Sequence, residues 1–264
     1  MDFKTSDNVN LHYSDTGDTD KPTMLGIPGI GGSSQMWTKV IALFKDKFRF
    51  IVLDPRNQGS SERTYKGQRI SRHAADVEEL LANLDLTNVI GIGNSMGASN
   101  LWSYLSIYGS GRFSAIVDLD QSPKMIADKG WPYGFKDLTW DNYPDYLKLN
   151  FGKAFYNHID DSMFNKAKQE NAKHPYNPDD NYKCLINHAE EDWRDVLMDT
   201  QLPMLVLAGK NSPFFDYHFT EAVKALNEKM DTEVISNCGH LIQAEQPVKM
   251  HDAIMKFLTK NNLL

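Results

Sequence analysis

The sequence predicts an α/β fold: a mostly parallel sheet with helices on both faces. Short apolar runs rich in β-branched residues alternate with amphipathic segments along most of the chain. Such alternation is typical of parallel strands joined by helices. The chain of 264 residues is long enough for one large core, or for one core with an insertion. One long stretch breaks the alternation and is rich in aromatic residues, which indicates an inserted helical unit.

The N-terminal half contains the first six predicted strands. An antiparallel edge hairpin is expected at residues 3–4 and 9–13, followed by strands at 23–27, 48–53, from Val89 onward, and at 113–119. Helices are expected at residues 34–45 and 71–84, where apolar residues recur at helical spacing, and after residue 97. Ser71 is the expected N-cap of the second helix.

The C-terminal part resumes the same alternation after the aromatic-rich stretch. Strands are predicted at 203–208 and 232–235, and helices at 217–229 and 246–260. The core is therefore assigned to residues 1–120 and 198–264, with residues 121–197 as a helical cap inserted after the sixth strand. This cap leaves the C-terminal end of a strand, where open parallel sheets hold their ligands.

The aromatic residues of the cap have two expected roles. Most of them hold the cap helices together, and a few line an apolar pocket. We predict Trp131, Phe135 and Trp140 as substrate-binding residues, in a pocket of modest size without a cationic clamp.

Composition excludes several classes of function. The net charge of −7 and the pI near 5.6, without a Lys/Arg cluster, argue against a nucleic-acid partner. Cys184 and Cys238 are the two cysteines, so no disulfide framework is implied, although one bridge between them stays open. Neither a signal-peptide pattern nor a bilayer-length apolar run occurs, which favours a cytoplasmic protein without membrane association. No His-Glu-x-x-His motif occurs, and neither metal nor cofactor is expected.

A tight turn at residues 93–97 carries the strongest functional signal. It reads Gly-Asn-Ser-Met-Gly and separates an apolar run from a segment with apolar residues at helical spacing. A serine in such a strand-to-helix turn is forced into a strained conformation that exposes its hydroxyl. The following helix directs backbone N–H groups toward the same point, where they can stabilise an oxyanion. Ser95 is therefore the predicted nucleophile.

A glycine loop at residues 29–31 offers a competing interpretation. It follows a strand, and Asp54 ends the next strand, which faintly resembles a dinucleotide-binding fingerprint. The position of the third glycine is occupied by Ser34, so the pattern is incomplete.

Four motifs together resemble the α/β-hydrolase family over essentially the whole chain. They are Ile-Pro-Gly-Ile-Gly-Gly-Ser-Ser at 27–34, Asp-Pro-Arg-Asn-Gln-Gly-Ser-Ser at 54–61, the serine turn at 93–97, and Gly-His with Glu-Gln-Pro at 239–247. The resemblance implies the α/β-hydrolase fold. It also implies His240 as the general base for Ser95, and the backbone N–H groups of Ile30 and Met96 as the oxyanion hole.

The third member of the triad departs from the family pattern. The family commonly places its acid where this chain has Asn211, and a neutral amide stabilises an imidazolium poorly. Matching strand to strand instead places the acid at Asp120, which follows the sixth strand. Asp216 is the alternative if its loop folds back, and Asp118 is expected to be structural.

The resemblance implies hydrolysis of small-molecule carboxylic esters with short to medium apolar acyl groups. Lactone opening, acyl transfer to peroxide and carbon–carbon bond hydrolysis use the same residues and stay open. A ligand-binding protein with feeble catalysis is a further alternative, motivated by Asn211. The oligomeric state is left open by the sequence.

Overall fold

The computed structural model describes residues 1–264 and contains one eight-stranded sheet. Its strands are β1 (Asp2–Lys4), β2 (Asn10–Asp15), β3 (Thr23–Ile27), β4 (Arg49–Leu53), β5 (Val89–Asn94), β6 (Phe113–Leu119), β7 (Met204–Gly209) and β8 (Met230–Ile235). The order across the sheet is β1-β2-β4-β3-β5-β6-β7-β8. β1 and β2 form an antiparallel edge, and the other six strands run parallel.

Nine α-helices accompany the sheet. They are α1 (Thr38–Phe44), α2 (Ile70–Asn83), α3 (Met96–Tyr108), α4 (Asp161–Lys173), α5 (Pro178–Glu190), α6 (Arg194–Asp199), α7 (Phe219–Leu226), α8 (Ile242–Glu245) and α9 (Pro247–Lys260). Short 3₁₀ helices occur at Ser34–Trp37 and Asp145–Lys148. No helix combines the length and the apolar character needed to cross a bilayer.

Two apolar layers cover the two faces of the sheet. One layer contains side chains of α2, α3 and α7, and the other contains side chains of α1 and α9. Neighbouring residues of β3 fall in different layers, with Leu25 in the first and Met24 in the second. Every residue of β3, β4, β5 and β7 is buried, which explains why these strands are apolar runs rather than alternating patterns. The predicted fold class is confirmed.

Several predicted boundaries need correction. Ser71 is the second residue of α2, not its N-cap, and the actual N-cap Arg69 makes no side-chain cap. The helix predicted at 34–45 is a 3₁₀ turn followed by α1. The helix predicted at 217–229 is shorter, because α7 spans Phe219–Leu226.

The segment between β6 and β7 contains α4, α5 and most of the aromatic-rich stretch. The β-type pairings in this segment are isolated bridges, such as the one between Lys124 and Asp192. The predicted boundary at residue 197 falls inside α6. Cys184 and Cys238 are both free and buried, so the bridge left open by the sequence is not formed.

Buried charges fix the turn after β4. The Arg56 side chain is fully buried and pairs with Asp76 of α2 at 2.6 Å and with Asp7 at 2.7 Å. Removing one partner from a buried pair leaves an uncompensated charge, which is strongly destabilising. The turn at residues 54–61 is therefore tied to both α2 and the β1–β2 hairpin.

Candidate active site

Ser95 lies between β5 and α3 in a strained conformation. Its φ is +54° and its ψ is −129°, in a region that residues with a side chain rarely occupy. The turn also needs glycine on both sides. A Cβ at Gly97 would lie 2.1 Å from the carbonyl oxygen of Ile27, and a Cβ at Gly93 would lie 2.3 Å from the nitrogen of Ala98. This crowding explains why both positions are glycine.

Asp120 and His240 meet at the C-terminal edge of the sheet. Nδ1 of His240 lies 2.6 Å from Oδ2 of Asp120, and both side chains are buried. The Asp120 carboxylate also accepts hydrogen bonds from the Gly209 N–H at 2.8 Å and the Ser212 hydroxyl at 2.6 Å. A carboxylate at Nδ1 holds the ring proton there and leaves Nε2 free to accept one.

The other carboxylates near this edge have different surroundings. Asp216 is exposed and pairs with Nδ1 of His218 at 2.6 Å. Asp118 is fully buried on β6, where burial and the neighbouring Asp120 charge raise its pKa well above the usual range. Asn211 is exposed and uses its backbone N–H to bind the carbonyl oxygen of Cys238 at 2.8 Å. Of these residues, Asp120 is the one that faces His240.

Asn94 connects three parts of the site, and sequence reasoning missed it. Its buried Nδ2 donates to the carbonyl oxygens of Leu119 at 3.0 Å and His240 at 3.1 Å. Its Oδ1 accepts from Nε2 of Gln243 at 3.1 Å. The residue before Ser95 is thereby tied to the end of β6 and to the histidine loop. A polar residue at the end of a fully apolar strand was the available signal.

Aromatic rings form one wall beside the histidine. The Phe214 and Phe215 rings lie 4.8 and 5.9 Å from the His240 ring, measured between centroids. Phe135 packs edge-on against Phe151 at 4.9 Å and lies 5.3 Å from Phe214. These four phenylalanines define the phenylalanine wall, and all four line the central cavity.

The central cavity has a volume of about 1000 Å³ and is lined by Ser95, His240 and Ile30 among others. This volume is larger than the modest pocket that was predicted, and the lining combines apolar side chains with polar ones. The charged lining side chains are Arg63, Lys148, Lys168, Glu170 and Asp179.

Of the three predicted substrate-binding aromatics, only Phe135 lies at the cavity. Trp131 is buried elsewhere, with its indole N–H bound to the Ser122 hydroxyl at 2.9 Å. Trp140 lies on the surface with 54% of its area exposed, packed against Tyr143. The structure therefore does not bring the two tryptophans to the cavity.

The predicted oxyanion-hole residues are Met96, which follows Ser95 in the chain, and Ile30, in a loop that approaches Ser95. Met96 begins α3, so its N–H has no acceptor within the helix. Ile30 is half-buried and lines the cavity within the loop after β3. The loop approaches Ser95 closely, since a Cβ at Gly29 would lie 2.7 Å from the Cβ of Ser95.

The fold and this arrangement define the class of protein. The chain matches the alpha/beta hydrolase fold family over residues 22–247 and belongs to that family. Its eight-stranded, mostly parallel sheet agrees with that assignment.

Relatives within the family carry several hydrolase names at low identity. The 3-oxoadipate enol-lactonase 2 of Acinetobacter baylyi is 24% identical, over 99% of this chain and 97% of its own length. A bifunctional esterase/perhydrolase of Acinetobacter calcoaceticus is 22% identical, over 90% of this chain and 88% of its own. A solved esterase from Exiguobacterium antarcticum superimposes with a TM-score of 0.84 at 20% identity, covering 98% of this chain and 99% of its own.

Proposed function

We propose that this protein is a serine hydrolase that cleaves carboxylic esters through an acyl-enzyme on Ser95. The observation that carries the proposal is the buried pair of Asp120 and His240 at 2.6 Å, in the cavity that also contains Ser95. A serine hydroxyl is a weak nucleophile unless a neighbouring base accepts its proton. The Asp120–His240 pair supplies such a base without a metal or cofactor.

The proposed reaction has two halves. Nε2 of His240 takes the Ser95 proton as Oγ bonds to the ester carbonyl carbon, and the N–H groups of Ile30 and Met96 bind the resulting oxyanion. The carbon–oxygen bond to the alcohol then breaks, and His240 returns the proton to the leaving alcohol. Water, deprotonated by His240, attacks the acyl carbon; the bond from that carbon to Oγ then breaks, and His240 returns the proton to Oγ, which releases the carboxylic acid and free Ser95.

Residues 121–197 are proposed to act as the cap of this site. The segment supplies Phe135 and Phe151 to the phenylalanine wall and α4 and α5 residues to the rest of the cavity lining. Apolar rings next to His240 favour an apolar group at the reacting ester, because burying apolar surface stabilises the bound state.

Replacing the nucleophile tests the proposal directly. Ser95→Ala is expected to lower p-nitrophenyl ester hydrolysis by roughly a thousandfold or more, leaving the residual rate of the oxyanion hole and binding. A fluorophosphonate should label the wild-type protein at Ser95 alone, as mapped by mass spectrometry. Adducts at another residue, or full activity in Ser95→Ala, would refute the proposal.

A series of acyl chains tests the substrate class. Each additional buried methylene should improve transition-state binding by about 0.8 kcal/mol, roughly fourfold in kcat/KM, until the pocket is filled. The cavity of about 1000 Å³ leads us to expect the rise to continue from acetate to octanoate. A flat series, or a preference for anionic acyl groups, would contradict an apolar acyl site.

Lactone opening and acyl transfer to peroxide are second candidates, favoured by the names of the relatives. Both reactions use the same nucleophile, so Ser95→Ala abolishes them equally. A comparison of neutral lactones with lactones that carry a free carboxylate would test the first reaction. The lining has three cations, Arg63, Lys148 and Lys168, against the acids Glu170 and Asp179, so its charge does not disfavour a carboxylate.

A ligand-binding role without turnover is the remaining alternative. This alternative arose because Asn211 stands where the family commonly has its acid. The Asp120 carboxylate contacts His240 instead, which removes that reason. A stoichiometric burst of p-nitrophenol without further release would favour that alternative over an esterase.

A further inference from the structure

Two side-chain amides and one backbone amide are linked by hydrogen bonds into a chain between α5 and the loop after β3. Gln58, in the turn after β4, accepts the Gly31 N–H with Oε1 at 2.6 Å. Its Nε2 donates to Oδ1 of Asn181 in α5 at 2.5 Å. Nδ2 of Asn181 donates in turn to the carbonyl oxygen of Asn177 at 2.8 Å. Gln58 and Asn181 are each 1% exposed, so water does not compete for these bonds.

The chemistry of the amides allows one orientation of this chain. The Gly31 N–H can only donate, so the oxygen of Gln58 must face it and the NH₂ group must face Asn181. The oxygen of Asn181 then faces Gln58, and its NH₂ group faces a backbone carbonyl, which can only accept. Every group in the chain is satisfied in this orientation, and unsatisfied buried groups are costly.

The amide chain ends at Gly31, which directly follows Ile30, a proposed oxyanion donor. Gly31 follows Ile30, has a φ of +72°, and lies in a turn closed by the Gly32 N–H on the carbonyl of Gly29 at 3.0 Å. Holding the Gly31 N–H fixes the Ile30–Gly31 peptide plane and restrains the direction of the preceding Ile30 N–H. Oxyanion donors act only when they are aimed at the position where charge develops.

We propose that Gln58 and Asn181 are positioning residues that couple the docking of α5 to the alignment of the Ile30 N–H. The proposal rests on the proposed function, since it assigns Ile30 to the oxyanion hole. It gives helix α5 a part in transition-state stabilisation through Gln58, which lines the cavity but has both amide atoms engaged, by the Gly31 N–H and by Asn181. When α5 is docked, the amide chain is complete and the loop is held in its active geometry.

Two near-isosteric variants test the chain. Loss of a whole oxyanion donor lowers kcat by roughly 100-fold to 1000-fold, and a misaligned donor is expected to lose about tenfold. We therefore expect Gln58→Met and Asn181→Leu each to lower kcat about tenfold, with KM changed by less than about twofold. The kcat of the double variant should be no lower than that of Gln58→Met alone, because both substitutions break the same chain of hydrogen bonds. Asn181→Asp keeps an acceptor for Gln58 but loses the donor to the Asn177 carbonyl, so it should recover part of the kcat lost in Asn181→Leu.

A transition-state analogue separates positioning from folding. Affinity for a trifluoromethyl ketone, which forms a tetrahedral oxyanion on serine, should fall in each variant by the same factor as kcat/KM. Asn187→Leu is the matched control. Asn187 also lies in α5 and its Oδ1 accepts the Ile70 N–H at 2.8 Å, but it makes no bond to Gln58. It should change the unfolding midpoint without lowering kcat.

The outcomes are decisive in either direction. An active wild type whose Gln58→Met and Asn181→Leu variants keep full kcat overturns this inference alone, whereas a wild type without Ser95-dependent turnover overturns the proposed function. An equal loss in Asn187→Leu would show a general effect of α5 docking and would also overturn the inference. If Gln58→Met does not fold, Asn181→Leu and its comparison with Asn181→Asp decide the question.

Discussion

Hydrogen bonding distinguishes Asp120 from the other carboxylates around the site. Asp120 has three partners on its two oxygens, whereas Asp118 has one oxygen bound by the Gln121 N–H at 3.1 Å and the other without a partner. A buried carboxyl without enough partners is stable only in its neutral form, and burial raises the pKa of Asp118 accordingly. The hydrogen-bond partners therefore favour Asp120 over Asp118 as the acid beside His240.

Amide substitutions test the assignment of the acid. Asp120→Asn is expected to lower kcat by about 10⁴-fold, because the amide cannot stabilise the imidazolium and favours the wrong ring tautomer. Asp216→Asn is the matched control and should retain activity, since Asp216 is exposed and contacts His218 instead. Steady-state kinetics on p-nitrophenyl butyrate would measure both. Near-full activity in Asp120→Asn, with loss in Asp216→Asn, would reverse the assignment.

The sequence predicts some site residues better than others for a physical reason. Ser95 and Asp120 each directly follow a parallel strand, and such strands end at one edge of the sheet, so strand order alone predicts their proximity. The rings of residues 121–160 follow no regular strand or long helix. Whether Phe135 or Trp131 faces the cavity is therefore decided by tertiary packing, which no local pattern records.

At the scale of elements, the strand–turn–helix unit around Ser95 is the most sterically constrained. β3 and α3 approach so closely that Gly97 has no room for a methyl group beside the Ile27 carbonyl. The strain at Ser95 persists because β5 is paired on both sides and α3 is packed against it. Such strain is maintained only where the surrounding structure over-determines the conformation.

Gly97→Ala should lower both stability and activity. Inserting a methyl group into a packed contact costs about 1–3 kcal/mol, and here the contact is with backbone, which cannot rotate away. Urea unfolding would measure the loss of free energy, and ester kinetics the displacement of Ser95. Gly130→Ala is the control, since its Cβ would meet only the Asp128 carboxylate at an ordinary 3.4 Å. Equal stability of the two variants would contradict the steric account.

The elements themselves were predicted with uneven success. The strand predicted at residues 113–119 coincides with β6, a mostly apolar segment between the polar residues Arg112 and Asp120. Ser71 was a misleading helix start, since a serine within the first turn resembles an N-cap while Arg69 holds that position without capping. The amide chain through Gln58 spans 123 residues to Asn181, so no local pattern could indicate it.

At the scale of the whole molecule, buried ionisable groups connect stability to pH. Burial lowers the pKa of both His73 and His188 to about 3, and it raises the pKa of Asp54 to about 6. The ordinary value is about 6.5 for histidine and about 3.9 for aspartate. Below pH 6.5 the unfolded chain therefore protonates two histidines that the folded protein keeps neutral. Between pH 6 and 4 the folded protein also holds one proton on Asp54 that the unfolded chain lacks.

These terms have opposite signs. Each buried histidine makes the unfolded state bind one more proton, whereas Asp54, and Asp118 whose pKa is also raised, each make the folded state bind one more. One histidine term alone lowers the free energy of unfolding by about 1.4 kcal/mol for each pH unit of acidification between pH 6 and 4. His188→Gln removes one such term, so its free energy of unfolding should lose about 1.4 kcal/mol less for each pH unit of acidification than that of the wild type. His158→Gln is the control, because that side chain is 74% exposed. Urea unfolding of the three proteins from pH 7 to 4 would measure the slopes, and equal slopes for wild type and His188→Gln would show that His188 is not held neutral.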